Sequence, residues 1–286
     1  MKIGIKANSF DKQGYGRFNE NTYRKLKEHG FQCSDFTMSD TDSILYREPE
    51  SAAVHLLMRE KELAREAGIE ITQVHGPWRW PVKDDTLEDR QERMEKMKKS
   101  IFLTSVLGCR NWVVHPIMPY GVYDTETNEV QKTWEINLKF FRDLLPTAKE
   151  YGITVCLENM PMRKFSIATP QAILQFVNEI DDQNFRLCLD TGHVAVFDNL
   201  NLAEETKRLG EKIKVLHVHD NRCGADLHLP PYFGDTDWKA FARSLKEINF
   251  TGSFSLETVP PANLPDDIFE NTCLLYSQIA KEIIRE

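Results

Sequence analysis

The chain has 286 residues, 41% of them hydrophobic and 28% charged, the balance expected of a soluble globular fold with a sizeable core. Its 36 basic and 44 acidic residues leave a net charge of −8, which argues against a protein that grips duplex DNA through its phosphates. Met1 to Lys6 lack the apolar stretch of a signal peptide, and no run approaches the roughly 18–20 apolar residues of a membrane span, so no membrane partner and a cytoplasmic location are expected. The six cysteines (Cys33, Cys109, Cys156, Cys188, Cys223 and Cys273) include no C-x-x-C pair and are expected to be reduced thiols.

Ile3 to Lys6 reads as a first strand, followed by a Gly-rich loop around Gly14 and Gly16. Asn21 to His29 is helix-compatible, with Gly30 placed to end it. Phe31 to Phe36 is a second, weaker strand. From Pro49 to Ala67 the spacing of Val54, Leu57, Met58 and Leu63 predicts a helix that stops at Gly68. Ile69 to Val74 alternates as a third strand and delivers His75 at its end. Thr86 and Asp89 have the spacing of a capping box, and Met94, Met97, Ile101 and Val106 form the apolar face of the helix that follows. Asn111 to His115 is a fourth strand, again ending in His.

Trp134, Leu138, Phe141, Leu145 and Ala148 mark another helix, with Pro146 expected to kink it and Gly152 to close it. Ile153 to Leu157 is a fifth strand that ends at Glu158. Thr169-Pro170 makes an N-cap and first-turn pair for a helix carrying Ile173, Phe176 and Val177. Phe185 to Leu189, the sixth strand, leads into Asp190-Thr-Gly-His193. After a helix at Leu200 to Leu209, the seventh strand, Ile213 to Val218, carries His217 and runs into His219 and Asp220, with Asp226 and His228 just beyond. Asp237 to Ile248 is a helix, Gly252 to Leu256 the eighth strand, ending at Glu257, and a helix over Asp266 to Ile284 closes the chain.

Eight strands alternating with eight helices imply parallel strands joined by crossovers. In a chain close to the roughly 250 residues typical of the fold, this favours a single (β/α)8 TIM barrel over residues 1–286. No G-x-G-x-x-G or Walker pattern follows any strand, which weakens nucleotide-binding alternatives. In such a barrel His75, His115, Glu158, Asp190, His193, His217, Asp226, His228 and Glu257 would converge on the catalytic C-terminal face. One strand-end His or carboxylate is ordinarily a hydrogen-bonding residue or a helix cap. Six consecutive strands ending this way make a divalent-metal site the economical reading.

Leu157-Glu-Asn159, Leu189-Asp-Thr-Gly-His193, His217-Val-His-Asp220, Asp226-Leu-His-Leu-Pro-Pro231 and Ser255-Leu-Glu257 resemble the motifs of the xylose isomerase-like TIM-barrel superfamily, over almost the whole chain. Its members include ketose 3-epimerases, hydroxypyruvate isomerase, inosose dehydratase and endonuclease IV. The resemblance implies one divalent metal ion on Glu158, Asp190, His217 and Glu257, often manganese, with magnesium, cobalt or zinc as alternatives. It also implies proton transfer by Glu158 and Glu257 through a metal-stabilised enediolate of a carbohydrate substrate. His193 and Arg222 would contact substrate oxygens, and His75 and His115 would line the substrate site.

A metal-dependent lyase acting on a keto sugar or keto-cyclitol would use the same glutamates. An endonuclease IV-like zinc phosphodiesterase would recruit all nine strand-end residues, adding Asp226 and His228 as metal ligands, although no nucleic-acid partner is expected at this charge. The resemblance further implies a homo-oligomer, since relatives are often dimers or tetramers. Arg79, Lys83, Arg163, Lys164 and Arg222 are loop cations suited to a substrate anion, and Trp78 and Trp80 could stack on a sugar or pack under their loop. His219 has no assigned role, and Phe233-Gly-Asp235 departs from the G-x-G common in relatives.

Overall fold

Eleven strands are formed among the described residues, 1–8 and 20–285 of the computed structural model. They are β1 (Ile3–Lys6), β2 (Cys33–Thr37), β3 (Glu70–His75), β4 (Asn111–Val114), β5 (Pro119–Val122), β6 (Thr154–Glu158), β7 (Phe185–Asp190), β8 (Ile213–His217), β9 (Asp220–Arg222), β10 (Ala225–Leu229) and β11 (Phe254–Leu256). The loop expected around Gly14 and Gly16 lies outside the described residues.

Eight strands pair in parallel in the order β11-β1-β2-β3-β4-β6-β7-β8. The ends of this sheet meet through Val218, whose N–H donates to Ser255 O at 2.8 Å and whose carbonyl accepts from Glu257 N at 2.9 Å. Eight parallel strands wrapped by helices and nearly closed on themselves are a (β/α)8 barrel. The strands are those expected from sequence, displaced by at most two residues at their ends. β5 and the antiparallel β9–β10 hairpin, absent from the sequence reading, stand outside the barrel order.

Local chemistry explains the helix ends. Thr86 Oγ1 accepts from Asp89 N at 3.0 Å and Asp89 Oδ2 accepts from Thr86 N at 3.4 Å, the reciprocal capping box read from the sequence. Thr169 caps Pro170–Ile180 by accepting from Ala172 N at 3.2 Å. Pro146 lies within the helix Thr127–Glu150, which runs on past it.

The main core lies between the barrel and its helices, where Trp112, Phe141, Phe176, Phe185, Phe241 and Phe254 are fully buried. A second, small apolar cluster of Val113, Cys156, Cys188 and Val215 sits apart from it. Residues two apart on a strand share a face. His115, Glu158, Asp190 and His217 therefore follow Val113, Cys156, Cys188 and Val215 on the same side of the sheet, one step nearer the strands' C-terminal ends. This period turns four scattered sequence positions into one polar layer above a small apolar one. Among the described residues no helix is long and apolar enough to cross a membrane.

Candidate metal centre and active site

Glu158, Asp190, His217 and Glu257 are all buried, and one ligand atom from each can be chosen so that the four lie within 4.8 Å of one another. His217 Nδ1 is central: it lies 2.8 Å from Glu158 Oε1 and 2.8 Å from Glu257 Oε2. Three carboxylates facing one imidazole suit a hard or borderline divalent cation. Glu158 Oε2 and Glu257 Oε2 are buried and, with imidazole nitrogens close by, accept no aligned hydrogen bond among the described residues; a bound cation would satisfy such oxygens. The donor set fits a divalent ion.

Electrostatics agree with that geometry. Burial opposes charge on Glu158, yet His217, His115 and His75 outweigh it and hold the carboxyl well below its ordinary range. Burial is likewise overcome at Glu257, chiefly by His217 and Lys6. His217 responds in kind: burial resists its protonation, but Cys188, Glu158 and Glu257 push its pKa well up. In the metal-free protein a charged His217 thus favours both carboxylates as anions, and an ion bound at Nδ1 would take over that role and release the proton.

Two further groups of metal-type side chains flank this centre. His75, His115 and Glu158 form one, with His75 Nε2 and His115 Nε2 3.2 Å apart and 3.4 and 3.2 Å from Glu158 Oε2. Burial lowers the His115 pKa to about 4, so its ring is neutral. His193, His219, Asp226 and His228 form the other, with Asp226 Oδ2 3.6 Å from both His193 Nε2 and His228 Nε2. Burial disfavours a charged His193, but Asp190, Asp226 and Glu158 raise its pKa to about 10.

The fold therefore gathers every residue expected at the site except the loop cation Arg222. That side chain is exposed and donates to Phe233 O in the loop after the β9–β10 hairpin. The other loop cations are engaged as well. Arg79 and Lys83 approach Asp89, Arg163 pairs with Asp198 at 3.1 Å, and Lys164 lies over the Tyr123 ring. Trp78 tilts against His115 with ring centroids 4.9 Å apart, while Trp80 is 62% exposed.

Asp220, which belonged to the metal-rich stretch in the sequence, is structural. It is 0% exposed, and its carboxylate accepts from the backbone N–H groups of Asn221, Tyr232, Gly234 and Thr236 and from Trp238 Nε1, at 2.9–3.2 Å. This explains Phe233-Gly-Asp235: a Cβ on Gly234 would stand 2.3 Å from Asp220 Oδ1 and 2.3 Å from Asn221 O, so only glycine fits.

His219 finds its place beside a ligand. Its Nε2 is 3.0 Å from Asp190 Oδ1, and its ring stacks on His228 at 4.1 Å. The ring also occupies the space over Gly192, where a Cβ would meet Cε1 at 2.0 Å. Gly192→Ala should displace His219 and cost about 1–3 kcal/mol as overpacking, read as a lower thermal midpoint; an unchanged midpoint would show that the ring is free to move.

A family model for the xylose isomerase-like TIM barrel matches residues 23–272. The chain belongs to this family. Its full length is similar to an uncharacterized protein of Methanocaldococcus jannaschii, 26% identical over 291 residues that span 100% of this chain and 92% of the relative. It is also similar to the D-psicose 3-epimerase of Enterocloster bolteae, 23% identical over 208 residues, 70% of this chain and 65% of that enzyme. Among solved structures, a D-tagatose 3-epimerase-like protein superposes with a TM-score of 0.75 at 26% identity, over 99% of each chain.

In this xylose isomerase-like barrel, several residues at the site were not singled out by sequence. Lys6, the last residue of β1, brings Nζ to 3.2 Å from Glu257 Oε1. Asn159 clasps Asp190, accepting from its N–H at 2.8 Å and donating to its carbonyl at 3.0 Å, while its own carbonyl contacts His193 Nδ1. Arg93 and the buried Asp84 pair at 2.5 Å and brace the loop after β4 through His115 O and Met118 N. Lys6 does hold the same strand-end position as the residues that were read; Arg93 and Asp84 had no such signal.

Proposed function

We propose that the chain is a divalent-metal-dependent sugar isomerase or epimerase acting on a ketose or related keto sugar. The observation that carries this reading is the pair Glu158 and Glu257, two ionised carboxylates from different strands that approach His217 Nδ1 equally, at 2.8 Å. Glu158, Asp190, His217 and Glu257 would hold the ion, with manganese the preferred candidate. Such an ion, when bound, polarises a carbonyl and its neighbouring hydroxyl and stabilises the enediolate between them.

The chain's own part is proton transfer. One carboxylate takes the proton α to the carbonyl and the other returns one, to the opposite face of that carbon or to its neighbour. His193, held by Asn159, and the neutral His115 are suited to hydrogen-bond substrate oxygens. His75 would complete that wall, and Arg222 would take part only by leaving Phe233 O. The epimerase activities named for the relatives support the same chemistry. A lyase on a keto sugar would use these carboxylates too.

The two flanking groups favour a second reading, a multinuclear zinc phosphodiesterase in which Asp226 and His228 bind metal. Metal analysis separates the two. The isomerase or epimerase reading expects about one ion per chain, together with metal-dependent deuterium exchange at the α-carbon of a ketose in heavy water. Near three zinc ions per chain, with cleavage of an abasic-site oligonucleotide, would replace it.

A further inference from the structure

Asp35 is a carboxylate 2% exposed, contributed by β2, a strand that adds nothing to the four-residue ligand set. Burying an ionised carboxylate is strongly unfavourable unless charge or hydrogen bonds compensate it. Its Oδ2 accepts from Gln73 Nε2 at 2.9 Å and lies 3.0 Å from His217 Nε2. Gln73, fully buried on β3, also donates from Nε2 to Leu216 O at 3.0 Å, the carbonyl just before His217. A polar strut thus crosses the barrel from β2 and β3 to β8.

The two nitrogens of His217 face different neighbours. Nδ1 faces Glu158 and Glu257, whereas Nε2 faces Asp35. A neutral imidazole can offer a lone pair at only one nitrogen, and the other then carries the proton. A carboxylate beside Nε2 draws that proton there and leaves Nδ1 open toward the other ligands. The Nε2–Oδ2 contact is close but not aligned as a hydrogen bond, so the pull is one of charge as much as of direction. Metal-ligating histidines generally have their second nitrogen engaged in this way, and loss of the partner costs about 10–100-fold in metal affinity.

We propose that Asp35, steadied by Gln73, is a positioning residue that fixes His217 with Nδ1 presented to a divalent cation. The proposal rests on the reading of His217 as a metal ligand. It adds that ligand quality is set from β2 and β3, across the barrel from β8, the strand that carries His217.

Three measurements test it. In the unaltered chain loaded with cadmium-113, nuclear spin coupling should appear at His217 Nδ1, and coupling at Nε2 would overturn the proposal. Manganese titration calorimetry of Asp35→Asn should show affinity weakened about 10–100-fold, with the circular dichroism of the metal-free protein unchanged. Gln73→Met keeps the carboxylate but frees it, and should give a smaller loss in the same direction, which serves where Asp35→Asn fails to fold. Parent-like affinity in both variants would overturn the strut while leaving the metal site intact. Failure of the parent itself to bind manganese, cobalt, zinc or cadmium would instead remove the functional reading, and the strut with it.

Discussion

Glu257→Gln and Glu158→Gln should each reduce ketose turnover and α-carbon exchange by about 10²–10⁴-fold, the span associated with a lost general acid or base. The substitution removes the charge with little change of shape, and the protein should remain folded. Each glutamine would also weaken the ligand set around His217 Nδ1, where both carboxylates stand at 2.8 Å. Manganese titration run in parallel separates the contributions: a variant saturated with metal yet still inactive has lost its proton-transfer group. Full activity in both variants, measured on the true substrate, would rule out the two-carboxylate mechanism.

The second large effect concerns stability. Asp220→Asn replaces an acceptor oxygen with an amide NH2, and if that group takes the Oδ2 position it faces Tyr232 N, Gly234 N and Trp238 Nε1. Donors facing donors in a site with 0% exposure leave several buried N–H groups without partners. Unsatisfied buried groups cost about 1–3 kcal/mol each, so a total of about 3 kcal/mol or more is expected. For a chain of 286 residues, with an unfolding entropy of about 2.1 cal/mol/K per residue, this corresponds to a fall of about 5 °C in thermal midpoint. The loop from Tyr232 to Trp238 should loosen first, seen as faster amide exchange at Gly234 and Thr236. A midpoint within a degree or two of the parent would show that the loop is held by something other than Asp220.

Much of the site was legible because a parallel barrel imposes a simple rule. Side chains alternate along a strand, and the last inward residue of each strand reaches the catalytic face. A His, Asp or Glu directly after an apolar run is therefore visible before any contact is known, and Glu158, Asp190, His217 and Glu257 were all found this way. Lys6 obeys the same rule, whereas Asp35 points to the same side from one step below its strand's end. Neither is legible from sequence, because a strand-end lysine is not a metal ligand and because Asp35 lies inside its strand, where a mixed sequence gives weak periodicity.

By itself the sequence determined the eight-fold alternation, the helix caps at Thr86 and Thr169, and which side chains stand at the strand ends. These depend on local spacing and backbone chemistry, which residues a few positions apart settle among themselves. Only the tertiary structure decided how those side chains divide their work. His217 is a candidate ligand, His219 a partner of Asp190 over Gly192, and Asp220 the anchor of a loop, although the three lie within four residues. Gln73 meets the carbonyl of Leu216 from 143 positions away. The physical reason is closure: the inside of a barrel joins strands remote in the chain, so a side chain's partner, and hence its charge and its role, is set by the strands across from it.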